Sequence, residues 1–113
     1  MKLAIIGSRK ITHLCLDEYI PANVTEIVSG GAKGIDTLAK DYAIRKGLPL
    51  KEFLPQYQVY GRAAPLKRNE TIVKYADEAL AFWDGSSKGT EYTIRLFEKS
   101  NKKITVIKIG EQS

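Results

Sequence analysis

The sequence predicts an α/β protein: an open parallel sheet of about five strands with helices on both faces. Three observations predict it. Short runs rich in apolar and β-branched residues alternate with segments of helical spacing along the chain. Several of those runs are continuous rather than alternating, the pattern of parallel strands covered on both faces. Glycine, serine and charged residues gather where strands hand over to helices, the side of such a sheet that carries ligands.

The elements follow in order. Leu3 to Ile6 is the first strand, and Leu14 to Ile20, stopped by Pro21, is a short first helix. Ile27-Val28 marks the second strand. Ile35, Leu38, Ala39, Tyr42 and Ala43 then repeat at helical spacing and form one apolar stripe, which Gly47 and Pro49 terminate. Leu50 to Leu54 is the third strand. Pro55 to Ala64 reads as a long irregular loop on the ligand face. Leu66, Val73 and Ala76 mark a helix whose first turn accommodates Pro65. Ala79 to Trp83, a helix through Thr90, Ile94 and Phe97, and a last strand over Ile104 to Ile109 complete the alternation. Right-handed crossovers make this a three-layer, Rossmann-like arrangement with expected strand order 3-2-1-4-5.

The totals agree with one domain over residues 1–113. The 18 Lys and Arg exceed the 13 Asp and Glu by five, a balance that suits anionic partners. A single cysteine, Cys15, excludes an internal disulfide framework, and the first residues lack the apolar length of a signal peptide. No run approaches the roughly 20 apolar residues of a membrane span. The expectation is a cytoplasmic protein with no membrane partner.

Three strand ends carry unusual chemistry. The first strand ends in Gly7-Ser8-Arg9. The second ends in Ser29-Gly30-Gly31-Ala32-Lys33-Gly34-Ile35-Asp36, and the fourth in Asp84-Gly85-Ser86-Ser87-Lys88-Gly89-Thr90. Tight turns into helices bare N–H groups at the positive end of the helix dipole and so form anion cradles. Ser8, Ser29, Ser86 and Thr90 add hydroxyls, and Arg9, Lys33, Arg68 and Lys88 add positive charge. The dinucleotide fingerprint GxGxxG is absent after the first strand, and the fourth turn lacks the Gly-Lys-Ser/Thr ending of a P-loop. These patterns therefore call for no cofactor and no magnesium-assisted nucleotide hydrolysis.

Other chemistry is thin. His13 and Cys15 stand alone of their kinds in the first helix, too few for a metal site and wrongly spaced for a nucleophilic pair, so no metal is expected. Acid–base work would fall to Asp36, Asp84, Glu70 or Glu91. Asp84 is the best placed, either as a weak catalytic candidate or as a cap for the helix after it. Tyr57, Tyr60 and Trp83 lie near the ligand face, where one would stack on a base or all would serve packing.

Taken together, Gly7-Ser8-Arg9, SGGAKGID over Ser29 to Asp36, Arg68-Asn69 and the turn from Asp84 to Thr90 resemble the SLOG superfamily, over roughly Leu3 to Ile109. That superfamily joins the Rossmann-like domain of DNA-processing protein A, the LOG phosphoribohydrolases and small YspA-like bacterial and phage proteins. The resemblance implies binding of a nucleotide or an ADP-ribose-type ligand. The phosphate positions would be Gly7, Ser8, Arg9, Ser29, Gly30, Gly31, Ala32, Lys33, Gly34, Asp36, Arg68, Asn69 and the stretch from Gly85 through Ser86 and Gly89 to Thr90. Asp36 would cap its helix or orient the glycine-rich turn from within. Two alternatives accompany this reading: single-stranded DNA binding, helped by Arg62, Lys67 and Arg68, and phosphoribohydrolase activity. The LOG pattern ends in a glutamate three residues after its threonine, where this chain has Thr93 instead; Glu91 lies on another helical face. Relatives in the superfamily also imply a homo-oligomer.

Overall fold

The computed structural model describes residues 1–110. Five strands, β1 (Lys2–Gly7), β2 (Glu26–Ser29), β3 (Leu50–Glu52), β4 (Glu78–Trp83) and β5 (Ile104–Lys108), form one sheet in the order β3-β2-β1-β4-β5. All four pairings are parallel, with Ala4 set between Val28 of β2 and Ala79 of β4. This is the Rossmann-like three-layer fold expected from the alternation.

Side chains alternate along the two central strands. Leu3, Ile5, Leu80 and Phe82 pack with Ile35, Ala39, Tyr42 and Ala43 of α1 (Ile35–Lys46). Ala4, Ile6, Ala79 and Ala81 face the opposite way, toward Ile72, Val73, Ile94 and Phe97. Those last four belong to α3 (Ala64–Tyr75) and α4 (Lys88–Lys99). Alanine at three of the four sheet positions leaves room for two helices to lie side by side on this face.

Helix ends carry the signals the sequence shows. Gly47, left-handed at φ 66°, donates to Ala43 O and Ile44 O and closes α1. Pro65 sits in the first turn of α3, but the cap of α4 is Ser87 rather than Asp84, whose carboxylate bonds Ser86 and Ser87 in the turn before the helix.

Three expectations change, and a fourth is narrowed to the central strands. The segment Leu14 to Ile20 is not a helix; it holds a single 3-10 turn, Leu16–Glu18, because only Leu16 is buried there and Pro21 follows at once. Cys15 therefore precedes that turn, exposed, and His13 lies in irregular chain. Pro55 to Ala64 is not an irregular loop: it contains the short helix α2 (Tyr57–Tyr60) and a 3-10 turn, Gly61–Ala63, that runs into α3. The edge strands β3 and β5 are not covered on both faces, since Lys51, Glu52, Thr105, Val106 and Lys108 are exposed. Lysine on a sheet edge discourages pairing with another edge, which accounts for its presence there.

Candidate functional site

Strand order reverses between β1 and β4, and a cleft of about 450 Å³ opens there beyond the carboxyl ends of the strands. It lies on the sheet face shared by α3 and α4. The turn after β1 contributes Gly7, Ser8, Arg9 and Lys10, and the turn after β2 contributes Gly30, Ala32, Lys33 and Asp36. Arg68 and Asn69 enter from α3, and Asp84, Ser86, Ser87, Gly89 and Thr90 from the turn after β4. Among the described residues, three sequence-distant turns thus meet in a single hollow with the first turns of α1 and α4 and one side of α3.

The turn after β2 is held from within. The carboxylate of Asp36, half-buried in the first turn of α1, accepts the Ala32 N–H at 3.0 Å. Buried Ser29 accepts the Gly31 N–H at 3.3 Å through its hydroxyl. From α3, Arg68 donates Nη1 to Gly30 O at 2.6 Å and Nε to Asn69 Oδ1 at 2.8 Å. A Cβ on Gly30 would come within 2.5 Å of that guanidinium and would push it aside. Gly34 enters α1 at φ 72°, and a Cβ there would meet the Arg9 backbone at 2.5 Å. The turns after β1 and β2 therefore touch.

Burial pushes the Asp36 carboxyl above the usual aspartate range, opposed by the Ala32 N–H and the nearby Arg68 charge. Burial likewise pulls Arg68 below its ordinary value, and Asp36 opposes it.

The turn after β4 is also closed on itself. Asp84 Oδ1 accepts the N–H groups of Ser86 at 2.9 Å and Ser87 at 2.8 Å. These two backbone bonds lower the Asp84 carboxyl to about 2, with a smaller contribution from the Ser8 hydroxyl. Ser87 Oγ accepts the Thr90 N–H at 3.5 Å and lies 3.1 Å from Thr90 Oγ1.

These bonds amend the picture of bare amides. The N–H groups of Gly31, Ala32, Ser86, Ser87 and Thr90 already have acceptors in their own turns. Aspartate and serine close such turns readily, and the same residue types that suggest a cradle also fill it. What the cleft offers an anion is side-chain charge: Arg9, Lys10 and Lys33, all exposed, and the half-buried Arg68.

Four expected residues lie outside the lining. Ser29 is fully buried beneath the turn, Gly31 stands against Leu54 and Glu52, Gly34 packs on Arg9, and Gly85 stands by Lys108. Lys88 is exposed and also outside. Glu91 pairs with Arg95 at 2.7 Å, and Glu70 receives a hydrogen bond from Tyr92. The indole of Trp83 donates to Ser87 O at 3.0 Å, while Tyr57 and Tyr60 are exposed on α2; none of the three lines this cleft. Asp84 acts as the turn's own acceptor, which explains its position without chemistry.

Sequence reasoning missed Ile6, Lys10, Pro65, Leu66, Ile72 and Thr93, which complete the wall. Lys10 directly follows the Gly7-Ser8-Arg9 turn, and Thr93 lies one helical turn beyond Thr90, so both had a local signal. The α3 residues had none. Thr93 is buried and donates its hydroxyl to Gly89 O at 3.0 Å.

Among the described residues, no group of three or more His, Cys, Asp or Glu could hold a metal ion, and no helix is long and apolar enough to cross a membrane. Fold and cleft together define the class: a single-sheet Rossmann-like protein with a polar, cation-bearing hollow at its switch point. No protein-family model, curated protein or solved structure matches the chain.

Proposed function

We propose that this protein binds a nucleotide, or a nucleotide-derived ligand of the ADP-ribose type, in the cleft between the turns after β1, β2 and β4. The observation that carries this reading is the convergence of Arg9, Lys10, Lys33 and Arg68 on one hollow at the reversal of strand order. Ligands of open α/β sheets bind at that point, and phosphate is the anion such guanidinium and ammonium groups suit. The resemblance to the SLOG superfamily supports the same class of ligand. With Thr93 in the glutamate position and Asp84 engaged in its turn, the cleft favours binding over N-glycosidic hydrolysis.

A thermal-shift screen with mononucleotides, dinucleotides and ADP-ribose tests the proposal. Ligand at 100 times its dissociation constant should add about 2.7 kcal/mol of stability. No shift with any member of the set would remove the reading.

A second reading, single-stranded nucleic acid, has one observation of its own. An adjoining cleft of about 760 Å³, lined by Tyr60, Lys67 and Lys74 among others, shares Arg68 with the first, so a strand would cross from one to the other. Arg62 and Lys67 are exposed, Lys67 in the wall of this second cleft, whereas Arg68 is half-buried and already hydrogen-bonded. Its signature is affinity that falls by roughly 0.7 log units per contacted phosphate for each tenfold rise in salt.

Self-association is a further part of the proposal. Leu54, Tyr57, Val59 and Tyr60 leave large apolar side chains exposed along one short stretch. Light scattering after size exclusion reads it directly: a mass of 12.6 kDa at all concentrations would rule it out.

A further inference from the structure

The cleft is electrically lopsided. Its cations all stand on the turns after β1 and β2 or on α3. The side formed by β4 and α4 brings Asp84 and the hydroxyls of Ser86, Ser87 and Thr90, but no cation. Asp84, ionised above pH 2 or so, already occupies the Ser86 and Ser87 N–H groups. A phosphate placed there would meet a carboxylate and amides that are already bonded. Between α3 and α4 the lining is less charged: Pro65, Leu66 and Ile72 bring apolar atoms together with Ile6 of the sheet, and Thr90 and Thr93 bring hydroxyls from α4.

Asn69 stands at that boundary. Arg68 Nε is a donor only, so the bond at 2.8 Å fixes the Asn69 carboxamide with Oδ1 on the guanidinium. Nδ2, with two N–H donors, is the group left for a ligand.

We infer that a nucleotide enters this cleft in one orientation, with its phosphate against Arg9 and Lys33 and its uncharged ring portion between α3 and α4. Exposed Leu66 covers the ring, buried Ile72 lies at the floor of the cleft beneath it, and Asn69 selects for a hydrogen-bond acceptor on its edge. This orientation rests on the nucleotide reading above and goes beyond it, since it separates the turn after β2 from the turn after β4.

Calorimetric titration of the full chain with AMP, GMP, CMP, UMP, ADP-ribose and pyrophosphate tests it. The variants are Arg9→Ala, Lys33→Ala, Lys88→Ala, Leu66→Glu and Asn69→Asp. The first four replace exposed side chains, and circular dichroism checks that each variant is folded. Arg9→Ala and Lys33→Ala should each weaken both mononucleotide and pyrophosphate by about tenfold, one charge-assisted hydrogen bond's worth. Lys88→Ala should change either by less than about twofold, the size of a screened surface charge. Leu66→Glu should weaken mononucleotides by about tenfold or more and pyrophosphate far less, because a carboxylate there would replace apolar cover over the ring. Asn69→Asp keeps the acceptor for Arg68 and removes the donors, so the ranking of the four bases should change. An effect of Lys88→Ala equal to that of Arg9→Ala overturns the orientation while leaving the nucleotide reading in place. So does an equal loss of nucleotide and pyrophosphate in Leu66→Glu, or an unchanged base ranking in Asn69→Asp. Failure of all six probes to bind the wild-type chain defeats the nucleotide reading and the orientation with it.

Discussion

Arg68 donates Nη1 to the carbonyl oxygen of Gly30 at 2.6 Å across 38 positions of sequence, tying α3 to the turn after β2. The same guanidinium faces the half-buried Asp36 and holds Asn69 through Nε. One side chain thereby positions the glycine-rich turn, offsets a carboxylate and orients an amide.

Removing it should cost stability. Arg68→Met deletes two hydrogen bonds from a charged donor and leaves Asp36 without its nearby cation, for an expected loss of about 2 kcal/mol by urea denaturation. Arg68→Lys restores charge but not the Nε bond to Asn69, so it should recover part of the loss. A loss below about 0.5 kcal/mol for Arg68→Met would show that the turn holds itself.

Acid should unfasten the turn after β4. The Asp84 carboxyl titrates at about 2 in the folded protein, below the ordinary aspartate value of about 4. A depressed folded value means that its contribution is present above pH 4 and disappears as pH falls toward 2. Asp17, lowered to about 2 by Arg45 and Lys46, changes in the same sense. Asp36 runs the other way: its raised value makes ionisation unfavourable, so it lowers stability as pH rises through its titration. Comparing Asp84→Asn with wild type from pH 6 to pH 2 should show a gap that closes below pH 4. A gap constant across that range would contradict the assignment.

Lys102 caps α3 from its carboxyl end. Its Nζ lies 2.6 Å from Val73 O, 3.1 Å from Lys74 O and 2.8 Å from Ala76 O. A cation at the negative end of a helix dipole, with three carbonyls to bond, is favourable on both counts. Lys102→Met keeps most of the apolar stem and loses the ammonium, so a loss of about 1–2 kcal/mol is expected in chemical denaturation. Equal stability of the two proteins would show those carbonyls to be satisfied by water.

Gly34→Ala and Gly47→Ala separate two costs of a left-handed residue. Both glycines have positive φ, 72° and 66°, but a Cβ at Gly47 meets nothing within 4 Å. Gly47→Ala should lose about 1 kcal/mol, the conformational term alone. Gly34→Ala adds a clash with the Arg9 backbone and should lose at least about 2 kcal/mol more, read from the two denaturation midpoints. Similar losses would mean that the contact between the two turns gives way freely.

The alternation of apolar runs and helical spacings carried the fold, because the period of a helix and the continuity of a buried strand are local properties of the chain. Gly47 and Pro65 marked helix ends for the same reason, since such signals act within one turn, whereas the cap of α4 is Ser87 and not the Asp84 that the sequence suggested. The chemistry at the ends of β1, β2 and β4 was equally visible, since a parallel sheet brings its carboxyl ends together whatever lies between them.

The tertiary structure alone decided how that chemistry is used. Whether an amide in Ser29 to Asp36 is open or closed depends on where Asp36 and Ser29 point, and composition cannot distinguish a cradle from a turn that fills itself. The placement of Arg68 against Gly30, and of Leu66 and Ile72 in the cleft wall, depends on how α3 docks on the sheet, a packing outcome of residues far apart in sequence. The alanines at 4, 79 and 81 allow α3 and α4 to share one face, and the space between the two helices is set by side-chain volumes on four separate elements, β1, β4, α3 and α4.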